Sequence, residues 1–144
     1  MPKLRHVALH TRDVRATAEF YKAAFDMEEK GSIDSKDAEG VWLTDGDLNL
    51  AVLKFKGDTP LADKANGVDR IGIHHIGFWV EDVEEARRKL SQAGAQYRSD
   101  LEPAGPGSGV EEKYRGPDNV MIDISGHGWA GAAPPEGRSA AAKH

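Results

Sequence analysis

The feature that most restricts what this chain can fold into is that it repeats itself. Arg5-His6-Val7-Ala8-Leu9-His10-Thr11-Arg12-Asp13-Val14 aligns with His74-His75-Ile76-Gly77-Phe78-Trp79-Val80-Glu81-Asp82-Val83, an offset of 69 residues between His6 and His75. In a chain of 144 residues that period leaves room for two copies of one supersecondary unit, neither of which closes a core alone. Each copy opens with alternating apolar residues, Val7 and Leu9 in the first and Ile76, Phe78 and Val80 in the second, the pattern of a half-buried strand.

Asp13 and Asp82 then stand where a short carboxylate accepts first-turn N–H groups, and helical stripes follow at Val14, Ala18, Tyr21 and Phe25 and at Val83, Ala86, Leu90 and Ala93. Gly94 stops the second helix; the first runs out near Asp26 without so clear a signal. Three short strands are predicted after each helix. In the first copy they are about Met27 to Ile33, Val41 to Thr44 and Leu48 to Lys54, with Asp45-Gly46-Asp47 as the last turn. In the second they are about Gln96 to Asp100, Val110 to Arg115 and Val120 to Ser125, turned by Gly116-Pro117-Asp118-Asn119. The fold class is therefore α+β, two βαβββ modules forming a cupped mixed sheet with helices on the outside. Residues 1–128 are expected to be one domain, with modules at about 3–56 and 71–125, the polar stretch Gly57 to Arg70 as linker, Leu101 to Gly109 as a loop, and 129–144 as a loose tail without a role in the fold.

Strand alternation sends neighbouring side chains to opposite faces. His6, Ala8 and His10 share the face away from the helix, as do His75, Gly77 and Trp79, Asn49, Ala51 and Leu53, and Met121 and Asp123. Each copy thus puts one polar residue on its first strand and one on its last, His6 with Asn49 and His75 with Asp123. Two imidazoles and a carboxylate suit a divalent metal with open positions, and with no cysteine in the chain any metal must be held by nitrogen and oxygen. His74, next to His75, points the other way in a regular strand and reads as structural. His10 and Glu112 are the candidate acid–base groups, although either Glu112 or its neighbour Lys113 reaches the cup, depending on register. Trp79 and Met121 are the candidate pocket walls. His127 and Trp129 either cover the rim or meet a partner subunit.

The segments HVALHTRDVRATAEFYKAAFDME and HHIGFWVEDVEEARRKLSQAG and the ending YRGPDNVMIDIS resemble the strand–helix and last-hairpin signatures of the vicinal oxygen chelate superfamily, which includes glyoxalases, bleomycin-resistance proteins and dioxygenases. The resemblance covers about Lys3 to Ser125. It implies metal ligation by His6, His75 and Asp123, the last standing where the pattern has Glu, with Asn49 in the fourth position in place of a stronger ligand. The implied cofactor is a divalent ion, Fe, Mn, Ni, Co or Zn. The implied activity is that of a lyase, isomerase or related Lewis-acid catalyst on a small substrate with vicinal oxygens. Two alternatives stay open: a metal-free binding protein of the bleomycin-resistance type, and an extradiol-type dioxygenase.

Charge and hydropathy narrow the partners. Lys plus Arg number 19 against 24 for Asp plus Glu, a formal charge of −5 with no basic patch, so nucleic acid is not an expected partner. No apolar run is long enough to span a membrane or to form a secretory signal, and a cytoplasmic location is expected. Sheet edges favour a homodimer.

Overall fold

Both aspartates cap their helices as the sequence suggests: Asp13 Oδ1 accepts from Ala16 N and Asp82 Oδ1 from Glu85 N, each at 3.0 Å. These caps begin α1, Val14–Phe25, and α2, Val83–Gln92, in a computed structural model that describes residues 1–102 and 111–135. Where no stop signal was apparent, Asp26 ends α1 by adopting a left-handed conformation, φ 57°. The strands are β1 (Lys3–His10), β2 (Glu28–Asp34), β3 (Ala38–Thr44), β4 (Asn49–Phe55), β5 (Gly72–Trp79), β6 (Gln96–Tyr97), β7 (Glu112–Arg115) and β8 (Met121–Ser125). β3 starts three residues before the predicted Val41. β6 keeps only two of its predicted residues; just beyond it Arg98 still gives its backbone N–H to Lys113 O at 2.8 Å while its side chain pairs with Asp63 and Asp100.

All eight strands form one mixed sheet in the order β2-β3-β4-β1-β5-β8-β7-β6. That order is unchanged when the two modules are exchanged, which is the pseudo-two-fold the repeat implied. β1 and β5 pair antiparallel at its centre with Val7 opposite Ile76, while β4 and β8 run parallel to them on either side. Both helices pack on one face. Ala18 of α1 is buried with Val41, Leu43 and Val52, flanked by Val14, Tyr21 and Leu50. α2 applies Val83, Ala86 and Leu90 to Val80, Tyr114 and Ile124. Each buried Val or Leu here contributes roughly 1.5–3 kcal/mol relative to exposure. Phe25, expected in the α1 stripe, is exposed instead and lies beside Tyr21.

Glu112 falls on this helix-packed face. It is buried and held by Arg87 of α2, with Nη2 to Oε2 at 2.6 Å and Nε to Oε1 at 3.0 Å, while Tyr114 donates its hydroxyl to Oε1 at 3.1 Å. The expected catalytic role of Glu112 is thereby corrected: the strand's pleat gives the cup to Glu111 and Lys113 and the core to Glu112 and Tyr114.

Two irregular segments cross the other face. The linker forms a short 3₁₀ turn at Pro60–Ala62, and Asp63 then reaches the second module, bonding Arg98 at 3.0 Å and Arg115 at 2.9 Å. The chain after β8 crosses the first module. Thr44 Oγ1 donates to Gly131 O, Asn49 Nδ2 to Ala130 O, both at 2.8 Å, and Arg5 Nε to Ala133 O at 3.0 Å. The tail expected to be loose from residue 129 is therefore bound through Pro135, by its backbone carbonyls; the remainder of it, 136–144, and residues 103–110 of the predicted loop lie outside the described residues. Among the described residues no helix is long and apolar enough to cross a membrane.

If Glu112 is structural, Glu112→Gln should lower stability by about 1–2 kcal/mol, the cost of weakening a largely buried ion pair, without altering metal stoichiometry. Urea unfolding at pH 7 and metal analysis on the same sample check both halves.

Candidate metal centre

One row of residues runs across six strands. Thr44 pairs with Asn49, Asn49 with His6, His6 with Gly77, Gly77 with Asp123, and Asp123 with Lys113. All six lie on the face opposite the helices, and His75 enters from the adjacent row, opposite Ala8. Gly77 leaves the middle of the row open. A Cβ there would stand 2.8 Å from the Trp129 ring and 2.9 Å from His6 Cβ, so only glycine lets the ring lie over the sheet at this point.

His6, His75 and Asp123, all buried, bring three ligating atoms within 4.8 Å of one another. His6 Nε2 is 3.1 Å from His75 Nε2, which is 3.3 Å from Asp123 Oδ2. Adjacent ligands of a single ion with bonds of about 2.1 Å lie roughly 3.0–3.4 Å apart, so these two spacings suit a ligand set as well as hydrogen bonds.

The hydrogen bonds behind the two rings assign their tautomers. Asn49 gives its Nδ2 to Ala130 O, so its Oδ1 faces His6 Nδ1 at 2.8 Å and accepts the proton from it. His6 Nε2 is then a lone pair. On the other side Ala62 O, which only accepts, lies 2.7 Å from His74 Nε2, so that nitrogen donates. His74 Nδ1 therefore accepts from His75 Nδ1 at 2.8 Å, and His75 Nε2 is a second lone pair. Burial pushes the pKa of His74 down and that of His75 well below the ordinary range, in keeping with neutral rings. Two imidazole lone pairs and a carboxylate thus face one point, and the other carboxylate oxygen, Asp123 Oδ1, is buried without a hydrogen-bond partner among the described residues. Such a convergence of acceptors is unfavourable unless a cation joins them; Lys113 Nζ, 2.9 Å from Asp123 Oδ2, brings one to the carboxylate but leaves the two imidazole lone pairs facing each other.

The remaining expected site residues fall into place around this centre. Asn49 sits behind His6 as the acceptor that orients it, its Oδ1 against Nδ1 on the ring edge away from Nε2. His74 is not turned away: a β-bulge, where the partners of Ala8 and Leu9 skip from His75 to Ile73, brings it to the same side as His75. That bulge carries no Gly or Pro signal, so strand alternation misplaced His74. His10 is buried against Phe55 and His74, accepting from Phe55 N at 3.4 Å, and does not border the cavity. Met121 lines the cavity, but Trp79 lies beneath Gly128, where a Cβ would come within 2.3 Å of its ring.

The cavity measures about 390 Å³, with apolar walls from Trp42, Leu53, Phe55, Leu61 and Met121. Its charged lining comprises Lys113, one of the two residues of β7 expected to reach the cup, together with Asp37 and Glu111, which no sequence signal placed there. Trp129 closes one side: its ring stacks on His6 at 4.6 Å and 5°, and its Nε1 donates to Glu111 Oε2 at 2.8 Å. For His74→Phe, which removes the acceptor for His75 Nδ1–H, metal affinity should fall about 10- to 100-fold with little loss of fold, as measured by calorimetric titration and circular dichroism.

Comparison with known proteins agrees with this architecture. The sequence profile of the Glyoxalase/Bleomycin resistance protein/Dioxygenase superfamily matches residues 3–124. The ethylmalonyl-CoA/methylmalonyl-CoA epimerase of Cereibacter sphaeroides is 31% identical over 104 residues, 70% of this chain and 78% of that protein. Among solved structures, a Streptomyces coelicolor methylmalonyl-CoA epimerase variant in complex with 2-nitronate-propionyl-CoA superposes with TM-score 0.67 at 20% identity, covering 85% of this chain and 94% of the other. A hypothetical protein from Bacillus halodurans C-125 does so with TM-score 0.66 at 21% identity, covering 86% and 93%. On the extent of the profile match and the identity to the Cereibacter protein, this chain belongs to the Glyoxalase/Bleomycin resistance protein/Dioxygenase superfamily.

Proposed function

We propose that this protein is a metal-dependent isomerase that moves a proton on a small acyl or carbonyl substrate carrying two neighbouring oxygens. The observation that carries the reading is the convergence of the His6 and His75 lone pairs with the Asp123 carboxylate at 3.1 and 3.3 Å. A divalent ion held by these three residues would supply Lewis-acid stabilisation of the oxyanion that develops when a proton leaves the carbon beside a carbonyl.

The chain's own groups supply the rest. The apolar walls exclude water from the reacting carbon, and a cavity of about 390 Å³ suits an acyl group rather than a whole acyl-CoA. In an acyl-CoA substrate the nucleotide portion would remain outside. Glu111 is the favoured proton acceptor: it lines the cavity, and the indole N–H of Trp129 orients it. Asp37, accepting from Thr59 Oγ1 at 3.0 Å, is the second carboxylate on the wall, and two carboxylates give epimerisation the donor and acceptor that it needs. The 31% identity to an ethylmalonyl-CoA/methylmalonyl-CoA epimerase supports a proton-transfer reaction over lyase or ring-cleavage chemistry.

One observation favours the alternative of metal-free binding: Lys113 already donates to Asp123 at 2.9 Å. The two readings part on metal analysis of protein purified without a His tag. The isomerase reading expects one divalent ion per chain and metal-dependent exchange of solvent deuterium into methylmalonyl-CoA or ethylmalonyl-CoA. Glu111→Gln should slow that exchange by about 10²- to 10⁴-fold. Stoichiometric metal without exchange into either thioester would refute the substrate class, and absence of metal would leave the binding-protein reading.

A further inference from the structure

Lys113 faces the cup, because Glu112 and Tyr114 on either side of it commit the opposite face of β7 to the core. Its side chain is 15% exposed, and its Nζ lies 2.9 Å from Asp123 Oδ2, the same oxygen that stands 3.3 Å from His75 Nε2. Burial disfavours the ammonium, but the carboxylates of Asp123 on β8 and of Glu111 and Glu102 outweigh it and hold the amine charged. The imidazoles of His6 and His75 face the same space, with His74 behind His75.

An ammonium has three donors and no acceptor, so it contributes no ligand to a metal. It occupies a lone pair of the one anionic ligand in the centre. A divalent ion bound to Asp123 would share that carboxylate with a second positive charge a few ångströms away, in surroundings where water screens little. We infer that Lys113 is a built-in competitor for the metal, holding Asp123 in place in the metal-free protein and lowering the affinity of the site for divalent ions. This rests on the metal reading above. Its consequence is a centre that loads and releases its ion in exchange with the surroundings, with Asp123 paired in both states. The role needs no change in the protonation of Lys113, only its charge and position.

The test is titration of tag-free, chelator-treated protein with Co²⁺, followed by calorimetry and by the visible absorption of the bound ion. Lys113→Met keeps an unbranched side chain one atom shorter and removes the charge. It should bind Co²⁺ about tenfold or more tightly than the wild type with the same absorption spectrum, and its metal-free form should melt at a lower temperature, since Asp123 is left unpaired. Lys113→Arg, which keeps the charge, should stay within about threefold of the wild type. If Lys113→Met does not remain folded without metal, Lys113→Gln carries the same expectation. Equal or weaker Co²⁺ binding by the neutral variants overturns the inference while leaving the metal centre intact. Failure of both the wild type and the variants to bind overturns the metal reading itself.

Discussion

The pair of hydrogen bonds that hold the back edges of His6 and His75 is the constraint on which the rest of this site depends. A free imidazole chooses either tautomer at small cost, and with the wrong choice each Nε2 would carry a proton into the centre. Here the Asn49 amide and the His74 ring make the choice, and each is itself fixed by a backbone carbonyl, Ala130 O on one side and Ala62 O on the other. The site is therefore built from four layers: carbonyl, orienting side chain, imidazole, and the point where the lone pairs meet.

Those two carbonyls come from the least regular parts of the chain. Ala62 belongs to the linker between modules and Ala130 to the segment after β8. The symmetric sheet supplies the positions of His6 and His75 beside its pseudo-two-fold, and the two asymmetric segments supply their orientation. Trp129 links the parts, stacking on His6, filling the space above Gly77 and bonding Glu111. The two halves of the cup are thus chemically unlike although their backbones repeat, with the Asn49 amide at the position where the other half has the Asp123 carboxylate and its Lys113 partner.

Much of this was legible in the sequence where the physics has a short period. The pleat alternates every residue, so the common face of His6, Asn49, Met121 and Asp123 follows from apolar neighbours such as Leu50, Val52, Ile122 and Ile124. The offset of 69 residues placed the two modules, whereas the order of their strands in the sheet came only with the structure. What was not legible depends on backbone events that side chains do not announce. The bulge at His74 turns it toward His75, and nothing in the local composition marks it. Residues 129–135 are rich in Ala, Gly and Pro and lack periodicity, yet they bind through carbonyl oxygens, which every residue possesses. The choice between Glu112 and Lys113 required the register of β7, and Arg87 of α2, which claims Glu112, is distant in sequence. Asn49 was read as a possible ligand because its place beside His6 is the same for a ligand and for an orienting group; only the Ala130 bond separates the two.

Long-range ¹H–¹⁵N correlation of the metal-free protein, with ¹⁵N-labelled histidine, measures directly whether both imidazoles present bare Nε2 atoms to one point. His6 and His75 should both be Nδ1–H tautomers, with Nε2 resonances in the range of an unprotonated nitrogen that move together on addition of a divalent ion. A proton on Nε2 of either ring, or Nε2 resonances that ignore the ion, would contradict this arrangement.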